Sequence, residues 1–149
     1  MNELTQGGFL IAKIHQLAGR IFSKKLKEYQ IEEINAAQGR IMCVLWRNDG
    51  ISIQELSEVT SLGKSTLTSM LDRLEASGHL KRVHSKNDRR KILIKLTEKN
   101  DTVRLGYERV AREMADIFYK GFSDYEIEEF EEYLKRVFNN LEESEKGNR

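Results

Sequence analysis

The most informative part of the chain is residues 62–97, which read LGKSTLTSMLDRLEASGHLKRVHSKNDRRKILIKLT. From Lys64 to Ser77, apolar residues recur at positions 67, 70, 71 and 74, a spacing typical of one buried face of an α-helix. Gly78 follows, where a helix end favours a residue with positive φ. Two short runs with strand character, Leu80–Val83 and Ile92–Leu96, flank a polar turn. The stretch therefore predicts a helix followed by a two-stranded hairpin.

These two elements concentrate positive charge. Between Lys64 and Lys95 there are nine Lys/Arg and three Asp/Glu, a net charge of +6, whereas the whole chain carries only +1. A phosphate backbone is the natural partner of such a patch, so we expect double-stranded DNA to bind here. The polar face of the predicted helix offers short hydroxyls and cations that leave room for close approach: Lys64, Ser65, Thr66, Thr68, Ser69 and Arg73.

Composition limits the other possibilities. The 149 residues suit one domain, or a small domain with helical extensions, and the lack of proline favours long helices. No apolar run approaches the roughly 20 residues that cross a bilayer, and residues 1–8 lack a signal-peptide pattern. A single cysteine, Cys43, excludes an intrachain disulfide and suits a reducing compartment. We therefore expect a cytoplasmic protein without a membrane partner.

Apolar periodicity and capping motifs predict five more helices. The sequences at 35–38, 52–55 and 123–126 match capping boxes, and Thr97 is predicted to be an N-cap. These helices are expected at Phe9–Tyr29, from Asn35 to Arg47, from Ser52 to Val59, from Thr97 to the break at Gly121, and from Ser123 onward.

The predicted fold class is mainly α (α+β). Two short helices, a turn with glycine and a hairpin describe a helix-turn-helix with a wing, which we place at residues 35–97. Long N- and C-terminal helices, 1–34 and 98–149, would form a dimerisation domain. Eight of the twelve aromatic residues lie between positions 107 and 138, more apolar surface than two helices can hide. Because large exposed apolar patches usually mark an interface, we expect a homodimer.

Several motifs could indicate other chemistry. Gly63-Lys-Ser-Thr66 suggests a phosphate-binding loop, but position 58 is glutamate where that loop needs glycine, and a helix precedes it. The three histidines offer no helical metal pair, so neither metal nor cofactor is expected. Cys43 lies in the middle of an apolar helix, which favours a buried small side chain over a reactive thiol. Nothing in the spacing of serine, histidine and aspartate predicts an enzyme.

Three stretches resemble the MarR family of winged helix-turn-helix transcriptional regulators: Leu56–Thr66, Leu71–Leu80 and Asp88–Thr97. The resemblance extends to the order and spacing of all six helices. It implies a dimer formed by the first, fifth and sixth helices, and a regulator, usually a repressor, that is released by a small anionic or phenolic compound or by oxidation. Gly63 departs from the aspartate that often caps the recognition helix in this family. Residues 9–14 also lack the cysteine of its peroxide-sensing members.

The expected DNA contacts follow from these assignments. The polar face of the recognition helix would lie in the major groove, where hydroxyls and arginine read base edges. Arg90 at the wing tip would enter the minor groove, and the resemblance implies that Asp88 orients it. The phosphate contacts are expected from Lys86, Arg89 and Lys91.

A small phenolic or carboxylate effector would bind where the dimer helices meet the DNA-binding lobe, as the resemblance implies. Its candidate contacts are His15, Arg40, Trp46 and Tyr107. Two alternatives remain open. A winged helix can serve protein–protein contacts, and Cys43 can support a redox-responsive regulator.

Overall fold

The computed structural model describes residues 5–31 and 34–147. Within these residues the chain forms six helices and a two-stranded sheet, which confirms the predicted fold class. The elements are α1 (Gly7–Glu28), α2 (Ala36–Arg47), α3 (Ile53–Thr60), α4 (Lys64–Ala76), β1 (Leu80–His84), β2 (Ile92–Leu96), α5 (Asn100–Phe118) and α6 (Asp124–Gly147). The chain divides into two compact units, the first ending at Arg112 and the second beginning at Glu113.

The first unit has a core built from the apolar faces of its short helices and of the hairpin. Leu67, Leu71 and Leu74 of α4 are fully buried, as their spacing predicts, whereas Met70 is only half-buried. They share the core with Leu56 of α3 and with fully buried side chains of α2 and both strands, Ile41, Met42, Leu45, Leu80 and Ile94. Burial of this one stripe explains why the opposite face of α4 lies free at the surface.

The hairpin pairs β1 and β2 in antiparallel register, from Leu80 opposite Leu96 to His84 opposite Ile92. The segment before α3 pairs with the other edge of β2. The backbone N–H of Gly50 donates to the carbonyl of Ile94 (2.9 Å), and that of Ile94 donates to the carbonyl of Ile51 (2.9 Å). β2 is therefore bonded on both sides, which anchors the hairpin to the helical core.

Side chains cap three helices where the sequence predicts. Before α2, the side chain of Asn35 accepts from the backbone N–H of Gln38 at 2.8 Å, and Gln38 returns the bond at 3.1 Å. Ser123 and Glu126 form the same reciprocal pair before α6. Ser52 caps α3 through the backbone N–H of Glu55, but the predicted capping box is incomplete, because the Glu55 carboxylate accepts from the Ser52 hydroxyl (3.0 Å) instead of from the Ser52 backbone.

The predicted N-cap at Thr97 is wrong, because α5 begins three residues later, at Asn100. The Thr97 hydroxyl instead donates to the carbonyl of Gly78, just beyond the end of α4. The Thr97 carbonyl accepts from the side-chain amide of Asn100, which also accepts from the indole N–H of Trp46 at 2.8 Å. Tertiary contacts have thus taken the groups that a local cap would use.

The second unit contains the end of α5, the break at Gly121 (φ +85°) and α6. Four aromatic rings pack around the break, mostly edge to face and with centroids 5.0–6.3 Å apart: Phe118, Tyr119, Phe122 and Phe130. Burial and a 2.7 Å hydrogen bond to Glu131 raise the pKa of Tyr119 to about 12.

Apolar side chains remain exposed on the long helices. No residue of α6 is buried, and Phe9, at the start of α1, is 66 % exposed. Other exposed apolar residues on these two helices are Leu10, Ile11, Ile14, Leu17, Tyr125, Tyr133, Leu134, Val137, Phe138 and Leu141.

None of the helices in the described part of the chain combines the length and the apolar character that a membrane span requires.

Candidate nucleic-acid interface

The recognition helix, α4, presents an uncluttered polar face. All six side chains predicted to face DNA are exposed, and no large apolar side chain of α4 is exposed. Lys64, Ser65, Thr68, Ser69 and Asp72 line one shallow concave surface along the helix. The Thr68 hydroxyl donates to the Lys64 carbonyl at 2.8 Å, so its lone pairs remain to accept from a partner.

The recognition helix begins without a side-chain cap. Gly63 occupies the N-cap position with an extended backbone (φ −63°, ψ 153°), and no side chain bonds to the first turn. A Cβ at this position would meet nothing within 4 Å. The first backbone N–H groups of the helix therefore stay available to an approaching anion, as expected from the missing aspartate.

The wing tip, residues 85–91, is a compact turn. The backbone N–H of Ser85 donates to the carbonyl of Lys91, and that of Lys91 donates to the carbonyl of Asp88, both at 2.9 Å. His84 closes the turn, since its ring Nδ1 lies 2.9 Å from the Arg89 carbonyl. Because a carbonyl only accepts, this ring nitrogen is the donor.

Asp88 holds Arg90 as the resemblance implies. The carboxylate accepts from the backbone N–H of Arg90 at 3.0 Å and from its Nε at 3.3 Å. The Arg90 side chain is nevertheless 93 % exposed, so its guanidinium projects from the tip. The three cations predicted to meet phosphates, Lys86, Arg89 and Lys91, are also exposed.

One ion cluster at this surface escaped the sequence analysis. Arg82 of β1 donates to the Glu75 carboxylate of α4 through Nη2 (2.7 Å), Nε (3.1 Å) and its own backbone N–H (2.9 Å). The same Nη2 also lies 2.7 Å from Asp72. The hydrogen bond from the backbone N–H of Arg82, followed by that from its guanidinium, lowers the pKa of Glu75. The hydrogen bonds that the guanidinium donates to Glu75 and Asp72 raise the pKa of Arg82. The spacing of residues in a sequence does not reveal which side chains of a helix and a following strand will meet. The presence of two acidic residues within a basic stretch was the one sequence feature that pointed to this cluster.

The four candidate effector contacts lie in two separate cavities of the first unit. His15 and Arg40 line a groove of about 740 Å³ between α1 and α2, together with Arg20, Lys24 and Lys27. No carboxylate from the described residues lines this groove, so its character is cationic.

Trp46 and Tyr107 line a smaller cavity of about 280 Å³ between α2 and α5. The two rings lie 5.4 Å apart, and Tyr107 is only 5 % exposed. Cys43 forms part of this wall. Burial raises the pKa of its thiol, outweighing a hydrogen bond with Tyr107 that acts in the opposite direction. A raised pKa means less thiolate, which favours a packing role for Cys43. Across residues 5–31 and 34–147, no group of side chains is suited to hold a metal ion.

A family model, curated relatives and solved structures all relate this chain to the same family. The model of the MarR family matches residues 34–92. The multiple antibiotic resistance protein MarR of Escherichia coli K12 is 30% identical over 137 residues, which cover 91% of this chain and 93% of that protein. The regulator TtmR of Methylorubrum extorquens is 37% identical over 81 residues, which are 54% of this chain and 40% of TtmR. A crystal structure of a mutant E. coli MarR complexed with operator DNA superposes with a TM-score of 0.76 at 30% identity, covering 87% of this chain and 91% of that one.

Proposed function

Because this chain belongs to the MarR family of transcriptional regulators, we propose that it is a repressor that binds a pseudopalindromic operator as a homodimer in the cytoplasm. The resemblance found in the sequence is confirmed, and so is the inference that the chain is a DNA-binding regulator and not an enzyme. The observation that carries the proposal is the pairing of an exposed polar recognition helix with a wing whose tip projects Arg90.

In the proposed complex each protomer lays the recognition helix in a major groove and the wing tip in the neighbouring minor groove. Hydroxyls of the recognition helix meet base edges and phosphates, and Arg73 is placed to read guanine. Arg90 enters the minor groove, where narrow A·T tracts attract a guanidinium. A two-fold dimer requires half-sites about 10 bp apart, or a multiple of that spacing.

Selection of bound duplexes from a random-sequence library tests the proposal directly. We expect a pseudopalindrome, and an affinity that falls by about 10³–10⁵ between 50 and 200 mM salt if the dimer neutralises roughly 6–10 phosphates. Arg90→Ala should weaken binding to the selected duplex about tenfold or more. Lys120→Ala, which removes an exposed cation outside the interface, serves as the matched control. Equal affinities of the two variants would refute the role of the wing.

The homodimer is supported by the apolar surface that α1 and α6 leave exposed in one protomer. We propose that residues 1–34 and 98–149 supply this contact, while residues 35–97 bind DNA. Burying these apolar side chains against a second copy would stabilise the dimer by about 25 cal/mol per Å² of apolar surface removed from water. Sedimentation equilibrium at micromolar concentration should show twice the chain mass, and a stable monomer would contradict the proposal.

We propose that a small aromatic carboxylate acts as effector in the groove between α1 and α2. Four cations and His15 line this groove, and no carboxylate among the described residues lines it with them. A bound carboxylate would therefore find cationic hydrogen-bond donors that no described acidic side chain of the groove occupies. Trp46 and Tyr107 line the other cavity, so a role for these two residues in effector binding is a separate prediction. Salicylate should raise the unfolding temperature and lower DNA affinity, and Arg40→Gln should weaken both effects. Arg47→Gln, on the other cavity, is the control. Salicylate without influence on either property would count against this ligand class.

A further inference from the structure

The Arg82 cluster joins the two elements that the proposed complex places in different grooves. Glu75 and Asp72 belong to the recognition helix, and Arg82 lies at the middle of β1, opposite Ile94. The Arg82 side chain is 28 % exposed, and the Asp72 side chain is 57 % exposed. One arginine therefore reaches from the wing to two positions, one helical turn apart, on the edge of the reading face.

The contact is of a kind that fixes direction. Two nitrogens of the guanidinium and the backbone N–H of the same residue all donate to one carboxylate, at 2.7, 3.1 and 2.9 Å. Such a fork constrains angle as well as distance, which a single ion pair between flexible side chains does not. Asp72 adds a second point of attachment one turn earlier on α4.

The hairpin is anchored to the core by backbone bonds of β2 and by buried apolar side chains, and the contacts of Arg82 with the recognition helix add to these. Its strands are five residues long, and a two-stranded hairpin alone is only marginally stable. β2 is bonded to residues 50 and 51, but these bonds join it to the segment before α3 and not to the recognition helix. Between α4 and β1 the chain passes through Gly78, which has φ +83°.

We infer that Arg82 is a positioning residue for DNA binding, whose contacts with Glu75 and Asp72 hold the wing at the angle that lets Arg90 and the recognition helix engage one operator together. This inference rests on the proposed function. It makes Arg82 act through Arg90, with no DNA contact of its own required. It also explains why two carboxylates are present beside a surface that is otherwise cationic.

A double-mutant cycle separates positioning from general stability. The loss of affinity caused by Arg90→Ala is measured on the selected duplex in three backgrounds: unmodified protein, Arg82→Gln and Lys81→Gln. Lys81→Gln is the matched control, because it removes the same charge from the neighbouring exposed position of β1. We expect Arg90→Ala to cost about tenfold in the unmodified and Lys81→Gln proteins, and less than about twofold with Arg82→Gln. A merely structural loss would lower the unfolding temperature yet leave the cost of Arg90→Ala unchanged, and that result would overturn the inference.

A DNA-free measurement gives an independent decision. Spin labels are attached to Ser69→Cys and Asn87→Cys in a Cys43→Ser background. The labelled protein is mixed with an excess of unlabelled protein, so that the labels report the distance between the recognition helix and the wing tip of one protomer. We expect a narrow distribution with Arg82 and a broad one with Arg82→Gln; an equally narrow distribution would overturn the inference. If no duplex is selected by the unmodified protein, the proposed function fails, while the label distances still decide whether Arg82 holds the wing.

A charge-only role has its own test. Adding Asp72→Asn and Glu75→Gln to Arg82→Gln removes both carboxylates but does not restore the clamp. We expect the contribution of Arg90 to stay lost in this triple variant. Its full recovery would show that Arg82 only neutralises negative charge, and would overturn the positioning role.

Discussion

The contact between Gly39 and Tyr107 yields a prediction with a definite magnitude. A Cβ added to Gly39 would lie 2.0 Å from the hydroxyl oxygen of Tyr107 and 2.4 Å from two of its ring carbons. The ring cannot easily retreat, because it is 5 % exposed and packs against Phe22 and Trp46, each 5.4 Å away between centroids. Overpacking at such a site costs about 3 kcal/mol, and alanine returns about 1 kcal/mol of helix propensity. We therefore expect Gly39→Ala to lower the free energy of unfolding by about 2 kcal/mol.

Gly19→Ala is the matched control, since Gly19 also lies inside a helix but a Cβ there meets nothing within 4 Å. This variant should gain up to about 1 kcal/mol. Urea unfolding followed by circular dichroism, at one fixed protein concentration, measures both changes. The difference between the two variants isolates the packing penalty. Equal stabilisation by both substitutions would refute the reasoning, because it would mean that Tyr107 moves aside without loss.

Three further predictions concern single groups. Trp46→Phe removes the indole N–H that donates to Asn100, a residue that is only 3 % exposed. Urea unfolding should therefore show a free energy of unfolding lower by about 1–3 kcal/mol; an unchanged midpoint would mean that another donor replaces the indole. Cys43 should react with iodoacetamide at neutral pH far more slowly in the folded protein than in urea, because burial raises its pKa; equal rates would contradict this. The pKa of Glu75 is lower in the folded state, so its contribution to stability is complete above the ordinary glutamate pKa of about 4.3 and is lost as the pH falls through the folded value. Glu75→Gln should therefore show a shallower loss of stability in acid, and an unaltered acid limb would rule out this contribution.

Local patterns were sufficient for most of the fold. The helical stripe of α4, the paired strands and the boxes at Asn35 and Ser123 depend on neighbours a few residues apart, and the structure has them as predicted. The N-cap prediction for Thr97 was wrong because the Thr97 hydroxyl donates to the carbonyl of Gly78, nineteen residues away. No local spacing in the sequence reveals such a competing partner.

The candidate site was predictable in its charged residues but not in its connections. Exposure of the wing cations follows from their place in a polar turn. The link from Arg82 to Glu75 crosses a turn between a helix and a strand, and it depends on the direction that Gly78 gives the chain. The division of the effector candidates between two cavities depends on which faces of α1, α2 and α5 meet, and periodicity alone does not determine that.

The bond from the backbone N–H of Arg82 to Glu75 also bears on how the protein avoids aggregation. A strand at the edge of a sheet offers free backbone donors to any other extended chain. Since β2 is bonded on both sides, β1 has the open edge of the hairpin, and its central donor is already occupied by a carboxylate. A foreign strand would have to displace that carboxylate and tolerate the neighbouring lysine and arginine side chains. The small sheet is thereby a poor template for the stacking of strands from different molecules, even when the chain is concentrated.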